Sequence, residues 1–463
     1  ALSRARVRAG YGGNGSGEAM DWSIAALNAG AGRGVRSCAE IVTEALARAG
    51  EGEGARVFRT RRGEDALTEA RAYDQLRASA AHPSPLAGLP VSIKDNIDVA
   101  GEVSAAGSKL LLDSAPATDD APVVQRLKRA GGVIVGRTNM SEFAFTGIGH
   151  NPHFGTPANP FDRATGRIPG GSSAGAAVSV ADRMAVAALG TDTGGSVRIP
   201  AALTGLVGFK PTKRRVSTEG VVPLSTTLDC VGPIAATVAD CALLDAIISG
   251  EDAFAPPQAQ LPARLWLPAR RMLAGADDTV QRSFAHALKR LGEAGVSIAE
   301  FDDPVFEIPA RIAARGSLST AEMWERFGDR LRARRADVDP HVLLRVERGA
   351  SMTAADYIAN LRERAAFIRR MDSLMAPFDA MVAPTVPIVA PRFADIAEDE
   401  NFHRLNLLIL RNAAIANLAD RPSISIPCHR EGEAPVGLML IGHTLQDARL
   451  LGMACAIEHL LRA

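Results

Sequence analysis

The chain has 463 residues, 47% apolar and 22% charged, the range of an ordinary globular protein with one large core or two fused ones. Lys plus Arg and Asp plus Glu both number 52, so the net charge is zero and the basic excess of a nucleic-acid binder is absent. Five scattered cysteines with no CxxC pair argue against a disulfide framework or a zinc site and for a reducing compartment, with the cytoplasm as default.

Residues 1–19 are rich in Arg, Gly and Ser, precede the first methionine (Met20) and lack the apolar stretch of a secretory signal. They read as a disordered or vector-derived leader ahead of a single domain spanning 20–463. Residues 38–81 read as helical, since Ala, Leu, Glu and Arg dominate without proline. Pro83-Ser84-Pro85 breaks that helix, and Leu89 to Ile93 forms a short strand ending at Lys94. Asp120 can cap a helix that has Pro122 in its first turn and Val123, Val124, Leu127 and Ala130 on one face. Gly131-Gly132 stops it, and Val133-Ile134-Val135 follows as a strand. The most apolar stretch, 174–189, is interrupted by Asp182 and Arg183. It is too short to cross a membrane and reads as a buried helix followed by a strand.

A further apolar segment lies at 206–209, and Pro256-Pro257 opens a surface linker. Residues 275–376 are charged and largely helical. Strand-like runs return at 380–383, 423–426 and 436–441, and a terminal helix is expected over 445–461. Helices alternating with short, continuously apolar strands predict an α/β protein with a covered sheet.

Two glycine-walled serine loops carry the chemistry. The first is Gly170-Gly171-Ser172-Ser173-Ala174-Gly175 and the second Thr191-Asp192-Thr193-Gly194-Gly195-Ser196-Val197-Arg198. Bare glycines let successive N–H groups from Thr193 to Ser196 face one cavity, as in an anion nest or oxyanion hole; a plain glycine turn ahead of a helix fits the same residues. A serine nucleophile needs a base within reach, and the amine at the strand end is Lys94. Burial lowers a lysine's pKa toward the neutral state in which it can accept a proton, although most lysines at strand ends are solvated. Ser173 and Asp192 are equally suited to local hydrogen bonding in turns.

Lys94-Asp95-Asn96, Gly170 to Gly175 and Gly190 to Pro200 together resemble the amidase signature family, as do Asn139 to Phe143, Phe209-Lys210-Pro211-Thr212 and Pro435-Val436-Gly437. The resemblance runs from about Ser37 to the C-terminus. It implies the amidase signature fold: a large central mixed, twisted sheet with helices on both faces. It also implies a signature core over about 85–250, a variable helical insertion over about 262–376 and a sheet completed by 377–463. Carried over, Ser196 is the nucleophile, Ser172 a bridging serine behind a cis Gly171–Ser172 peptide, and Lys94 the base. Backbone N–H groups at Thr193, Gly194, Gly195 and Ser196 form the oxyanion hole. Ser173 and Asp192 support the site, Arg198 pairs with Asp192, and Phe145, Thr146 and Gly147 line the acyl pocket. The implied activity is hydrolysis of non-peptide amide bonds through an acyl-enzyme, extending to aryl esters and carbamates, without metal or cofactor. The implied partner is a small-molecule amide, with no nucleic acid or membrane, in a monomer or homodimer.

Three other readings compete. Gly171 to Gly175 also spells the G-x-S-x-G elbow of an α/β-hydrolase with Ser173 as nucleophile, but the preceding residues, 162–169, read as a loop and not as the required strand. No Gly-Lys-Ser/Thr follows the glycines, so a phosphate loop is not indicated. His150 and His153 lie among Asn, Pro and Gly without a visible third metal ligand. Within the family, the glutaminase component of glutamyl-tRNA amidotransferase carries Arg-Gln-Pro and Tyr-Gly-Arg where this chain has Arg198-Ile199-Pro200 and Lys213-Arg214-Arg215, which favours a free-standing amidase. Phe145 with small neighbours suggests an apolar acyl group. The Lys213–Arg215 run is either a solvated face or a border of the site entrance.

Overall fold

Eleven strands form one mixed sheet in the computed structural model, which describes residues 21–79, 84–251 and 254–463. The expected leader 1–19, Met20 and Pro83 lie outside the described residues. The strands are β1 (Phe58–Arg61), β2 (Pro90–Lys94), β3 (Val133–Thr138), β4 (Ala187–Asp192), β5 (Val207–Lys210), β6 (Cys230–Ala235), β7 (Arg264–Leu267), β8 (Ser297–Glu300), β9 (Ala380–Pro384), β10 (Ser423–Pro427) and β11 (Gly437–Ile441). Their spatial order is β1-β3-β2-β4-β6-β5-β10-β11-β9-β7-β8. β3, β2 and β4 run parallel, as do β8, β7 and β9, and the remaining pairs are antiparallel.

The middle strands are buried on both faces, which is why β2, β3, β9 and β11 read as largely apolar runs and not as alternating ones. Successive side chains point to opposite faces. Leu438 and Leu440 of β11 join one core, with Val123, Leu244, Phe284 and Leu450 from four covering helices. Met439 and Ile441 join another, with Ile199, Phe367 and Phe402 from helices of the opposite face. The α/β sheet covered on both faces is therefore the observed architecture.

Four strands have no counterpart in the sequence reading. The stretch 38–81 is not one helix: helix Cys38–Gly50 stops before residues 51–53, a short helix Gly54–Val57 follows, and β1 pairs antiparallel with β3 before helix Gly63–Ala78 begins. β6 contains Gly232 and Pro233, which read as turn residues, yet it pairs with both β4 and β5. β7 and β8 are short and lie at the far edge of the sheet. Asp120 does not cap helix Pro122–Arg129, whose N-cap is Ala121. The Asp120 carboxylate accepts instead from Ala100 N–H and Lys128 Nζ.

Parallel neighbours β2 and β4 bring their carboxyl ends together. Ser92 and Lys94 share the face of β2 opposite Val91 and Ile93, and Ser92 Oγ lies 2.8 Å from Ser179 Oγ of helix Ala174–Ala181. Lys94 thus points toward the loop that opens that helix. The helix, rich in alanine, packs close: a Cβ on Gly175 would meet Val57 O at 2.4 Å and Asn139 O at 2.7 Å.

Candidate active site

Lys94 is fully buried, and its Nζ donates to Ser172 Oγ at 2.7 Å, Thr191 Oγ1 at 2.8 Å and Thr191 O at 3.2 Å. Those three acceptors match the three protons of an ammonium; a neutral amine can keep the two Thr191 contacts and accept the Ser172 proton. Burial pushes the Lys94 pKa down to about 7, against the opposing pull of the Asp192 and Asp229 carboxylates.

The Ser172 loop is clamped from three sides. Gly171 N–H donates to Gly147 O at 2.8 Å, Ser141 N–H to Ser172 O at 3.1 Å and Ser173 N–H to Ser196 O at 3.2 Å. The Gly171–Ser172 peptide is cis, as the resemblance implies. A Cβ on Gly171 would lie 2.6 Å from Gly149 N and 2.8 Å from Ser141 Oγ, so only glycine fits. Ser173 Oγ turns to Thr191 O at 3.4 Å, and no strand precedes this loop beyond an isolated bridge between Arg167 and Arg392. The elbow geometry is therefore missing.

The last of the Ser172 clamps sets Ser196 beside Ser172 and Ser173. Ser196 is buried, and its hydroxyl makes no hydrogen bond among the described residues. In the turn before it, Gly195 adopts φ +122°, and a Cβ there would meet Ala413 Cβ at 2.5 Å. Gly195 N–H is occupied, donating to Asp192 Oδ1 at 2.7 Å, and Val197 N–H donates to Asp192 Oδ2 at 3.1 Å. The N–H groups of Thr193, Gly194 and Ser196 have no partner among the described residues. Gly195 thus differs from its expected oxyanion role because Asp192 claims its donor.

Asp192 and Arg198 form a buried two-point ion pair, with Nη2–Oδ1 at 3.0 Å and Nε–Oδ2 at 3.1 Å. Burial alone would raise the Asp192 pKa; Arg198, Lys210 and Asn417 outweigh it and hold the carboxyl well below its usual range. Asn417 Nδ2 donates to Asp192 O and Oδ1, both at 2.9 Å, and Arg198 Nη1 to Ala413 O at 2.9 Å. This network ties the Ser196 turn to helix Ala414–Leu418.

Phe145, Thr146 and Gly147 are buried close by. Gly147 N–H donates to Asn406 Oδ1 at 2.8 Å, and Thr146 Oγ1 to Ser141 Oγ at 3.0 Å. A Cβ on Gly147 would touch Leu410 Cδ2 at 3.0 Å and one on Gly194 the same atom at 3.8 Å, so Leu410 faces both glycine segments. Leu410, Asn417 and Asp229 have no place in the sequence reading, and Thr191 enters it only as the start of the second serine loop. Asp229 accepts from Thr193 Oγ1 at 2.5 Å and from Leu224 and Ser225 N–H, both at 3.0 Å. Burial pushes its pKa up to about 6, against those three hydrogen bonds and Lys213.

Elsewhere, His153 Nε2 lies 3.3 Å from Glu142 Oε1 and His150 Nδ1 4.0 Å from Asp339 Oδ2. No group of three or more His, Cys, Asp or Glu among the described residues is arranged to hold a metal ion. Lys213, Arg214 and Arg215 line a cavity of about 510 Å³ with Arg126, Ser249 and Asp420. Lys213 Nζ reaches Asp229 O at 3.4 Å. No helix among the described residues is long and apolar enough to cross a membrane.

Compared with known proteins, residues 40–451 match the model of the family described as Amidase. The chain belongs to this family. A 2-amino-5-chloromuconic acid deaminase of Comamonas testosteroni is 37% identical over 415 residues, covering 87% of this chain and 88% of that protein. An indoleacetamide hydrolase of Pseudomonas savastanoi is 35% identical over 395 residues, covering 82% and 84%. A component of the glutamyl-tRNA(Gln) amidotransferase of Moorella thermoacetica is 35% identical over 436 residues, covering 87% and 88%. A crystal structure of an amidase superposes with a TM-score of 0.86 at 29% identity, covering 94% of this chain and 99% of that one. This member of the amidase family is a hydrolase of carbon–nitrogen bonds other than peptide bonds.

Proposed function

We propose that the protein is a free-standing amidase in which Ser196 attacks the amide carbonyl, Ser172 relays the proton and neutral Lys94 is the base. One observation carries this reading: a fully buried lysine with a pKa near 7 lies 2.7 Å from Ser172 Oγ. The Ser196 proton passes to Ser172 Oγ as the Ser172 proton passes to Lys94 Nζ. The new tetrahedral oxyanion is held by the open N–H groups of Thr193, Gly194 and Ser196. On collapse, the proton on Lys94 returns through Ser172 to the leaving nitrogen, and the amine departs neutral. Water then enters by the same relay and releases the acid from Ser196. The missing hydrogen bond at Ser196 Oγ fits an unliganded site, since such contacts tighten when substrate arrives.

Aryl esters and carbamates offer the same electrophilic carbonyl and fall within this mechanism. Phe145 and Leu410 favour a substrate with an apolar portion beside the scissile bond. The five cysteines are free and buried, which suits a reducing compartment. The test is turnover of aryl amides, aliphatic amides, carbamates and glutamine by wild type and Ser196→Ala; retention of wild-type rates in the variant would refute the assignment. A glutaminase acting within a complex is a second reading, favoured by the 35% identity to the amidotransferase component. It requires glutamine to be the best substrate in the panel.

A further inference from the structure

Helix Pro340–Val346 lays Arg345 against the loop that carries Phe145. The guanidinium carbon stands 4.4 Å from the Phe145 ring centroid, and Nη1 donates to the Phe145 carbonyl oxygen. No carboxylate pairs with Arg345 among the described residues, whereas Arg334 and Arg335 pair with Asp337 and Glu347. Burial without a counter-charge pushes its pKa down to about 10, and Arg348 adds repulsion.

Of the two nearby carboxylates, Asp339 keeps Oδ2 without a hydrogen-bond partner among the described residues, and neither pairs with Arg345. Glu142 accepts from Ser108 Oγ and Asp339 N–H, and Asp339 caps its helix through His341 N–H. Burial and then His341, Arg345 and Arg348 depress the His403 pKa, with Asp399 opposing. A guanidinium fixed by ring stacking and one carbonyl, with no other hydrogen bond among the described residues, is prepared for a carboxylate. Phe145 also leads directly to the serines, because Gly147, two residues on, accepts from Gly171 N–H at 2.8 Å.

We infer that Arg345 is a specificity-determining residue that recognises a carboxylate on the acyl part of the substrate, across a short apolar span beside Phe145 and Leu410. This rests on the amide-hydrolysis reading above. The substrate class is then half-amides of dicarboxylic acids.

The test compares kcat/KM for succinamic, glutaramic and adipamic acids with that for butyramide, valeramide and hexanamide. It is run on wild type, Arg345→Lys and Arg345→Met, with calorimetric titration of the matching dicarboxylates. Wild type is expected to favour one half-amide over its neutral partner roughly 10- to 100-fold, the worth of a hydrogen-bonded charge pair. Arg345→Met should bring that ratio toward one, mainly through KM, and weaken dicarboxylate binding by a similar factor, while Arg345→Lys restores part of both. A wild-type ratio near one, an unchanged ratio in Arg345→Met, or dicarboxylates that do not bind wild type would overturn the inference. Dicarboxylate binding that depends on Arg345, without turnover of any amide, would instead overturn the amidase reading and leave the carboxylate site standing.

Discussion

Lys94 and Thr191 sit at the ends of neighbouring parallel strands, and Lys94 Nζ donates to the Thr191 hydroxyl at 2.8 Å and its carbonyl at 3.2 Å. Thr191 therefore supplies two of the three acceptors that a charged Lys94 needs. Removing its hydroxyl disfavours the ammonium. In Thr191→Val the acid limb of the kcat/KM profile, expected near pH 7 in wild type, should move down by about one pH unit, the worth of a hydrogen bond to a charged group. An upward shift, or none, would mean that Lys94 is not the titrating group.

The same lysine affects stability. Its folded pKa of about 7 lies below the ordinary 10.5, so between those values the unfolded chain binds a proton that the folded chain has released. Stability then rises with pH across that window, by up to about 1.4 kcal/mol per pH unit from this group. Urea unfolding from pH 7 to 10 should show a smaller rise in Lys94→Met than in wild type. Parallel curves would contradict the depressed pKa.

Asp229 links the Thr193 hydroxyl to two N–H groups from 224 and 225, and its charge helps to raise the Lys94 pKa. Asp229→Asn keeps the shape and removes the charge. Its acid limb should move down, as in Thr191→Val, with kcat reduced if Thr193 N–H is aimed by this contact. Asp229→Ala leaves three donors without a partner and should destabilise by about 1–3 kcal/mol for each that stays buried. An Asp229→Asn profile superimposable on wild type would remove Asp229 from the electrostatics of the site.

Arg198 and Asp192 are both fully buried, so truncating one strands the other's charge. Arg198→Met should cost about 3–5 kcal/mol in urea unfolding. It should also lower kcat, because Asp192 orders the turn through Gly195 and Val197 N–H. A loss below about 1 kcal/mol would show that this network is not what holds the turn.

Much of the architecture was readable because strands buried on both faces are unbroken apolar runs, as at Val133-Ile134-Val135 and 436–441. β6 escaped because Gly232 and Pro233 look like punctuation, although Pro233 sits opposite Leu189 within the sheet. β1, β7 and β8 escaped because strands of four residues carry little periodic signal. The serines and Lys94 were legible because glycine loops and a strand-end lysine leave local patterns. Asp229, Asn417 and Leu410 were not, since each meets the serine loops from another part of the chain and only the fold brings them near. The claim of Gly195 N–H by Asp192 is likewise a matter of geometry that residue types leave open.

In the proposed mechanism Ser196 carries the acyl group. The direct measurement is intact-protein and peptide mass spectrometry after rapid quench with a slowly deacylated aryl ester or amide. Wild type should gain the acyl mass on the peptide containing Ser196, and Ser196→Ala should gain none. Acylation of Ser172 or Ser173 in wild type, or turnover by Ser196→Ala at the wild-type rate, would contradict it.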